Sequence, residues 1–251
     1  MLLNFYYFRN KKIWLFLLLN FLIGVYVAAV RLGHPESVCF DDLYFYAKEG
    51  LVFSIYSDGF DIQTLMSVLN VAISIPMVCT QFSKNYSAKQ CYIALRYKNH
   101  FTFFLSEIIN IAAFCFMLSL FYSLGIAVFC MFKSSFELNN ANFILLYVLS
   151  VINSTLLLIA FSLFAIPFCV KNDKAAILTV IILFLSSTVG SFYLPKDYKC
   201  VDIITVYFVN TLFYDNSFIT VNSVVSYSIT ISSIVFSVAA GGKYLKSRDA
   251  I

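Results

Sequence analysis

The residues able to do chemistry are few in this 251-residue chain, and their spacing keeps them apart. Its two histidines, His34 and His100, fall on opposite sides of the membrane once the apolar segments are laid out, so they cannot share a metal. The seven cysteines form no C-x-x-C pair, and a zinc site built from cysteine and histidine needs four convergent ligands. No G-x-x-x-x-G-K-[ST] loop is present, so the chain does not cradle a nucleotide phosphate in that way. Nor does any Ser/His/Asp or Cys/His set fall on one side near mid-membrane. The expectation is therefore a chain with no catalytic residue, no metal and no cofactor of its own. Cys39 and Cys200 lie in outer loops, where a disulfide could persist, two unpaired thiols being the plainer alternative. Cys79, Cys115, Cys130 and Cys169 read as small apolar fillers.

The elements around these residues are apolar. The uncharged runs Ile13–Val30, Ile62–Phe82, Ile108–Phe132, Leu138–Val170, Ala175–Pro195 and Asn216–Gly242 each have at least 18 residues. A helix needs about 20 apolar residues to cross a hydrocarbon core of ~30 Å. Hydrophobic residues make up 61% of the chain and charged residues 12%, with mean hydropathy +0.86; a soluble domain carries about 25% charged residues. The sequence thus reads as an all-α polytopic membrane protein, one transmembrane domain over residues 1–251, with six spans at about 13–32, 62–82, 104–132, 143–170, 175–194 and 218–241. Helices are required because lipid offers backbone groups no other partner.

With the N-terminus inside, twelve of the 17 basic residues fall on the inner side, and ten of the 13 acidic residues outside. The positive-inside bias places both termini in the cytoplasm. The net charge of +4 is absorbed by this arrangement and does not point to nucleic acid. The first span is too long for a cleaved signal peptide and reads as an uncleaved anchor. Localisation in a cell membrane as a multi-pass protein follows.

Three regions stand out from the spans. Residues 31–61 form the largest polar outer region, with Glu36, Asp41, Asp42, Glu49, Asp58 and Asp61. The uncharged stretch Ile203–Tyr214, including Ile203, Tyr207, Phe208 and Phe213, is too short to span and reads as a re-entrant helix before the last span, with a plain amphipathic loop helix as the alternative. The last span carries Ser223, Ser226, Ser228, Thr230, Ser232, Ser233 and Ser237, a pattern that suits close helix packing better than pore lining. Pro76 and Pro167 are expected to kink their spans. The span centres hold no ionisable residue, which weighs against an ion-coupled transporter.

The first inner loop reads KNYSAKQCYIALRYKNHFTFFLSEI over residues 84–108. A short amphipathic helix is expected over Ala88–Tyr97, with Tyr92, Ile93 and Leu95 apolar among Lys89, Gln90, Arg96 and Lys98. A basic loop resting on anionic lipid is the alternative. Six spans, both ends inside and a basic helix between spans 2 and 3 resemble the permease subunits of type-2 ABC exporters. Tyr86, Ser87, Ile93, Leu95, Arg96 and Phe101–Phe104 carry the likeness, which in motif covers about 25 residues; Phe82, Ser83, Lys84 and Glu107 depart from the family's usual pattern. The resemblance implies that Lys89, Gln90, Tyr92, Ile93 and Arg96 form a coupling helix docking an ATP-binding subunit, with ATP and Mg on that partner. It also implies a second permease copy or related permease, and a hydrophobic or amphipathic substrate. An antimicrobial peptide and a bacterial plasma membrane are suggested by analogy with small Gram-positive permeases of this kind. A non-transporting membrane immunity or assembly factor is the competing reading, and a channel or secondary transporter the third.

Overall fold

The computed structural model describes residues 11–33, 39–49, 69–96, 100–134, 142–169, 173–193 and 221–248. These form seven helices: α1 (Lys11–Arg31), α2 (Phe40–Glu49), α3 (Leu69–Arg96), α4 (His100–Lys133), α5 (Phe143–Cys169), α6 (Asp173–Tyr193) and α7 (Val221–Arg248). No strand occurs among the described residues. Among the described residues, four segments are long and apolar enough to cross a membrane: Lys11–Arg31, Thr102–Lys133, Phe143–Cys169 and Val224–Lys243. That is fewer than the six expected spans. Helix α3 begins at Leu69 within the described range and its second half is polar and basic, while the apolar run of α6 is the shorter Val180–Gly190.

Helices α4 and α5 form the centre of the bundle, α5 packing against α3, α4, α6 and α7, and α4 against α1, α2, α3, α5 and α7. The side-chain register gives the directions. Asn153 and Pro167 of α5 meet Tyr227 and Gly241 of α7, so these two helices run parallel. Phe82 packs against Phe103 and Phe104, and Tyr86 against Phe103, near the start of α4, so α3 and α4 form an antiparallel hairpin. The Cys79 and Cys169 thiols face each other between α3 and α5, and Cys115 of α4 faces Ser162 of α5. Arg31, at the end of α1, meets α2, which lies against the first turns of α5. The bundle therefore has an α2 end and an opposite end where α3, α5 and α7 finish and α4 begins. Lys84, Arg96, Lys174, Lys243 and Arg248 cluster toward that opposite, basic end.

Helices α1 and α4 cross through paired glycines. A Cβ on Gly24 would collide with the Tyr122 carbonyl oxygen, and one on Gly125 with the Phe21 carbonyl oxygen. Small residues permit such backbone contact, which is how helices associate in lipid without a hydrophobic drive. The lateral faces are apolar: Trp14, Leu15, Leu18, Leu22 and Tyr26 on α1, and Leu178, Ile182 and Leu183 on α6, point outward. On α7, Ser226, Thr230, Ser237 and Gly241 are buried and lie on one face, while Ser228 and Ser232 are exposed. Thr230 and Ser233 donate back to the carbonyls of Ser226 and Thr230. Hydroxyls satisfied by their own helix are compatible with close packing. Pro76 and Pro167 both sit inside helices, and Thr80 donates to the carbonyls of Pro76 (2.7 Å) and Met77 (3.1 Å).

Candidate functional site

Within the largest polar outer region, residues 40–49 form α2, enclosed by the bundle. Phe40, Leu43, Tyr44, Phe45 and Ala47 are buried, as are Asp41 and Lys48; Asp42 is exposed. The residue pattern explains the helix. Asp41 and Asp42 stand in its first turn and Lys48 in its last, each charge complementing the helix dipole. A helix of 10 residues is about 15 Å long and cannot cross a bilayer.

Polar clasps and an aromatic wall hold α2. The Arg31 guanidinium donates through one nitrogen to the carbonyls of Tyr46 and Ala47, both at 3.2 Å. These belong to the last turn of α2, where helix carbonyls lack intrahelical partners. The end of α1 thus caps the end of α2. The Lys48 ammonium donates to the Ser150 hydroxyl on α5. Phe40, Tyr44 and Phe45 pack on Phe143 at centroid separations of 5.3, 5.8 and 5.8 Å, and Tyr44 on Tyr147 at 5.2 Å. Ser150 lies seven residues beyond Phe143, about 10 Å along α5.

Below Lys48 a few neutral polar side chains are buried among apolar ones. Asn153 is fully buried, and its Oδ1 accepts the Tyr227 hydroxyl at 2.7 Å. Its Nδ2 has no protein partner, nor do the hydroxyls of Ser119 and Ser123 on α4. The antiparallel register that sets Cys115 beside Ser162 carries Ser119 to the level of Leu158 and Ser123 to that of Ser154. A second polar contact joins α1 to α3: Ser74 donates to Asn20 Oδ1 at 2.8 Å, while Asn20 Nδ2 donates to the Phe16 carbonyl and meets the Met77 sulfur. Unsatisfied polar groups are costly at membrane depth; Asn153 lies on the α7 side of α5, whereas Ser119 and Ser123 belong to α4.

The residues singled out from sequence fare unevenly. Lys89, Gln90, Tyr92, Ile93 and Arg96 do not form a separate short helix; their backbone continues α3 without interruption to Arg96. Good helix formers such as Ala88, Lys89, Gln90, Ala94, Leu95 and Arg96 leave nothing there to stop the helix. Cys39 is partly buried just before α2. Its suggested partner Cys200, and Ile203, Tyr207, Phe208 and Phe213, lie outside the described residues. Arg31, Lys48, Ser150, Asn153 and Tyr227 were not marked by any motif. Their one sequence signal is the charge and apolar pattern of FDDLYFYAKE, which places Asp41 and Lys48 seven residues apart on one helical face.

Comparisons with family models, with curated proteins and with solved structures each give no match.

Proposed function

We propose that the chain is the permease subunit of an ATP-driven exporter of the type-2 ABC kind, crossing a bacterial plasma membrane six times with both termini cytoplasmic. The observation that carries this reading is the α3–α4 hairpin at the basic end. From Lys84 to Arg96, α3 continues for 13 residues, about 20 Å. Only residues 97–99 separate it from the start of α4 at His100. Such a hairpin is a stiff lever, and its base is tied into the core. Phe104 packs against Phe82 of α3. A Cβ on Gly241 of α7 would lie 2.7 Å from Pro167 Cγ of α5 and 3.3 Å from Phe104. A push on the hairpin therefore reaches α5 and α7 together.

In this reading the chain catalyses nothing. ATP and Mg bind on a separate ATP-binding subunit, which docks on Lys89, Gln90, Tyr92, Ile93 and Arg96, and two permease chains pair in the membrane. The substrate is hydrophobic or amphipathic, an antimicrobial peptide being the leading class. Support for an uncharged substrate comes from the span centres, which hold no ionisable residue. The test is purification of the tagged chain from its native host in mild detergent. An ATPase recovered near one-to-one, and lost or uncoupled in Ile93→Asp and Arg96→Glu, is the expected result. Recovery of the chain with no ATPase would overturn the exporter reading.

A further inference from the structure

Helices α1 and α3 each carry a stripe of side chains headed by a lysine. On α1, Lys12, Phe16, Leu19 and Ile23 follow the i, i+4, i+7, i+11 spacing of one helical face. On α3, Ile73, Met77, Thr80 and Lys84 follow the same spacing, with the lysine last. The two helices run in opposite directions and touch where Asn20 meets Ser74 at 2.8 Å and the Met77 sulfur at 3.4 Å. Lys12 lies eight residues before Asn20 and Lys84 seven beyond Met77, about 12 Å and about 10 Å along their helices. The two lysines therefore come to one level. On both helices the stripe lies away from α4: Val25 of α1, which approaches Gly125, and Phe82 of α3, which packs on Phe104, are on the opposite sides. The stripes thus flank one groove, with the Asn20–Met77 contact as its floor.

Depth and charge say what fills it. From Lys12 to Arg31 the chain advances 19 residues, about 28 Å, close to the ~30 Å of a hydrocarbon core. Lys12 and Lys84 thus stand at headgroup level in the leaflet at the basic end. Both are exposed, as is Leu19, while Phe16, Ile23, Ile73 and Thr80 are partly buried. Neither α1 nor α3 contains an Asp or Glu, and Glu107 of α4 is buried, accepting from Asn110. Two ammonium groups at one level repel each other and attract an anion placed between them. Each has three N–H donors, so a contact within the protein does not use them up. We propose that this groove binds an anionic phospholipid, its phosphodiester between Lys12 and Lys84 and an acyl chain along Phe16, Leu19, Ile23 and Ile73. Bound there, the lipid fastens α1 to α3, the helix that carries the basic hairpin. This inference goes beyond the exporter reading and needs only that the chain sits in a membrane.

The experiment uses the full chain in mild detergent, with phosphatidylglycerol or phosphatidylcholine of the same acyl chains added. Native mass spectrometry reads lipid retention, and thermal melting reads stability. Phosphatidylglycerol should be retained in preference and should raise the melting temperature. Lys12→Gln or Lys84→Gln should each weaken its retention about fivefold, and both together about thirtyfold, the scale set by one basic side chain at an anionic surface. Arginine at both positions keeps the charges and should keep the preference. Lys174→Gln with Lys243→Gln, exposed positions on α6 and α7 at the same end, should change nothing. Unchanged melting of the variants in phosphatidylcholine shows that they fold. Equal retention of the two lipids would overturn the site. So would an equal loss in the 174/243 pair, which would mean diffuse attraction to the basic end. Displacement of the lipid by millimolar inorganic phosphate would also overturn it, since any small anion would then suffice. A lipid preference in a chain that copurifies with no ATPase would keep the groove and remove the exporter reading; an ATPase without lipid preference would do the reverse.

Discussion

Two glycines decide how close α1 and α4 can come. Gly24 and Gly125 each sit where a Cβ would strike the other helix's backbone, and backbone cannot rotate away as a side chain can. Adding even one methyl must spread the helices, and overpacking of this kind costs about 1–3 kcal/mol. Gly24→Ala should therefore lower the melting temperature of the detergent-solubilised protein, and Gly24→Leu should abolish the folded peak in size-exclusion chromatography. Gly190 is the control, since nothing lies within 4 Å of its Cβ position; Gly190→Ala should leave melting unchanged or raise it, alanine being the better helix former. Equal losses at 24 and 190 would deny Gly24 its role in the crossing. None of this was legible in one sequence. The glycines look scattered, and Gly24 and Gly125 share no local motif because their partners are about a hundred residues away. Lys48 was hidden for a related reason. A polar stretch between two spans reads as solvated, and only the contact with Ser150 shows that it is enclosed.

At the scale of elements, the apolar runs predicted helices well where length and hydropathy agree, as in α1, α4, α5 and α7. What composition could not settle was continuity. Helix propensity over Ser87–Arg96 is compatible both with a separate helix and with an extension of α3, because propensity is local and says nothing of the angle between segments. The structure has one helix of 28 residues. Spin labels at Ile73 and Ile93, twenty residues apart, should then lie about 30 Å apart along the axis, apart from the reach of the labels. A distribution centred well below that would restore the separate short helix over Ala88–Tyr97. The distinction bears on mechanism: a continuous α3 transmits a push along its own axis, whereas a separate helix would transmit it through a joint. The same paragraph of sequence concealed α2, whose ten residues are too few to stand out against neighbouring spans.

The whole molecule has two ends of different chemistry, and this difference tests its orientation. Basic residues at 84, 96, 174, 243 and 248 fall at the end where α3, α5 and α7 finish. The opposite end is that of Arg31, α2 and Lys133. The twelve-to-five division of basic residues is the ground for expecting one basic side from sequence alone, since charge bias needs no knowledge of packing. Which end faces the cytoplasm is a separate matter, set by the positive-inside bias. With the α3–α4 hairpin inside, an impermeant thiol reagent applied to intact cells should label Lys133→Cys, an exposed position at the end of α4, and should not label Lys246→Cys until the cells are opened. Lys48→Cys would be a poor reporter, because its side chain is fully buried and protection there would mean enclosure and not sidedness. Labelling at 246 in intact cells, with protection at 133, would invert the molecule. The basic hairpin would then face away from any cytoplasmic ATPase. Labelling at both positions in intact cells would place the two ends on one face, a result that an odd number of crossings between α4's end and α7's end could not survive.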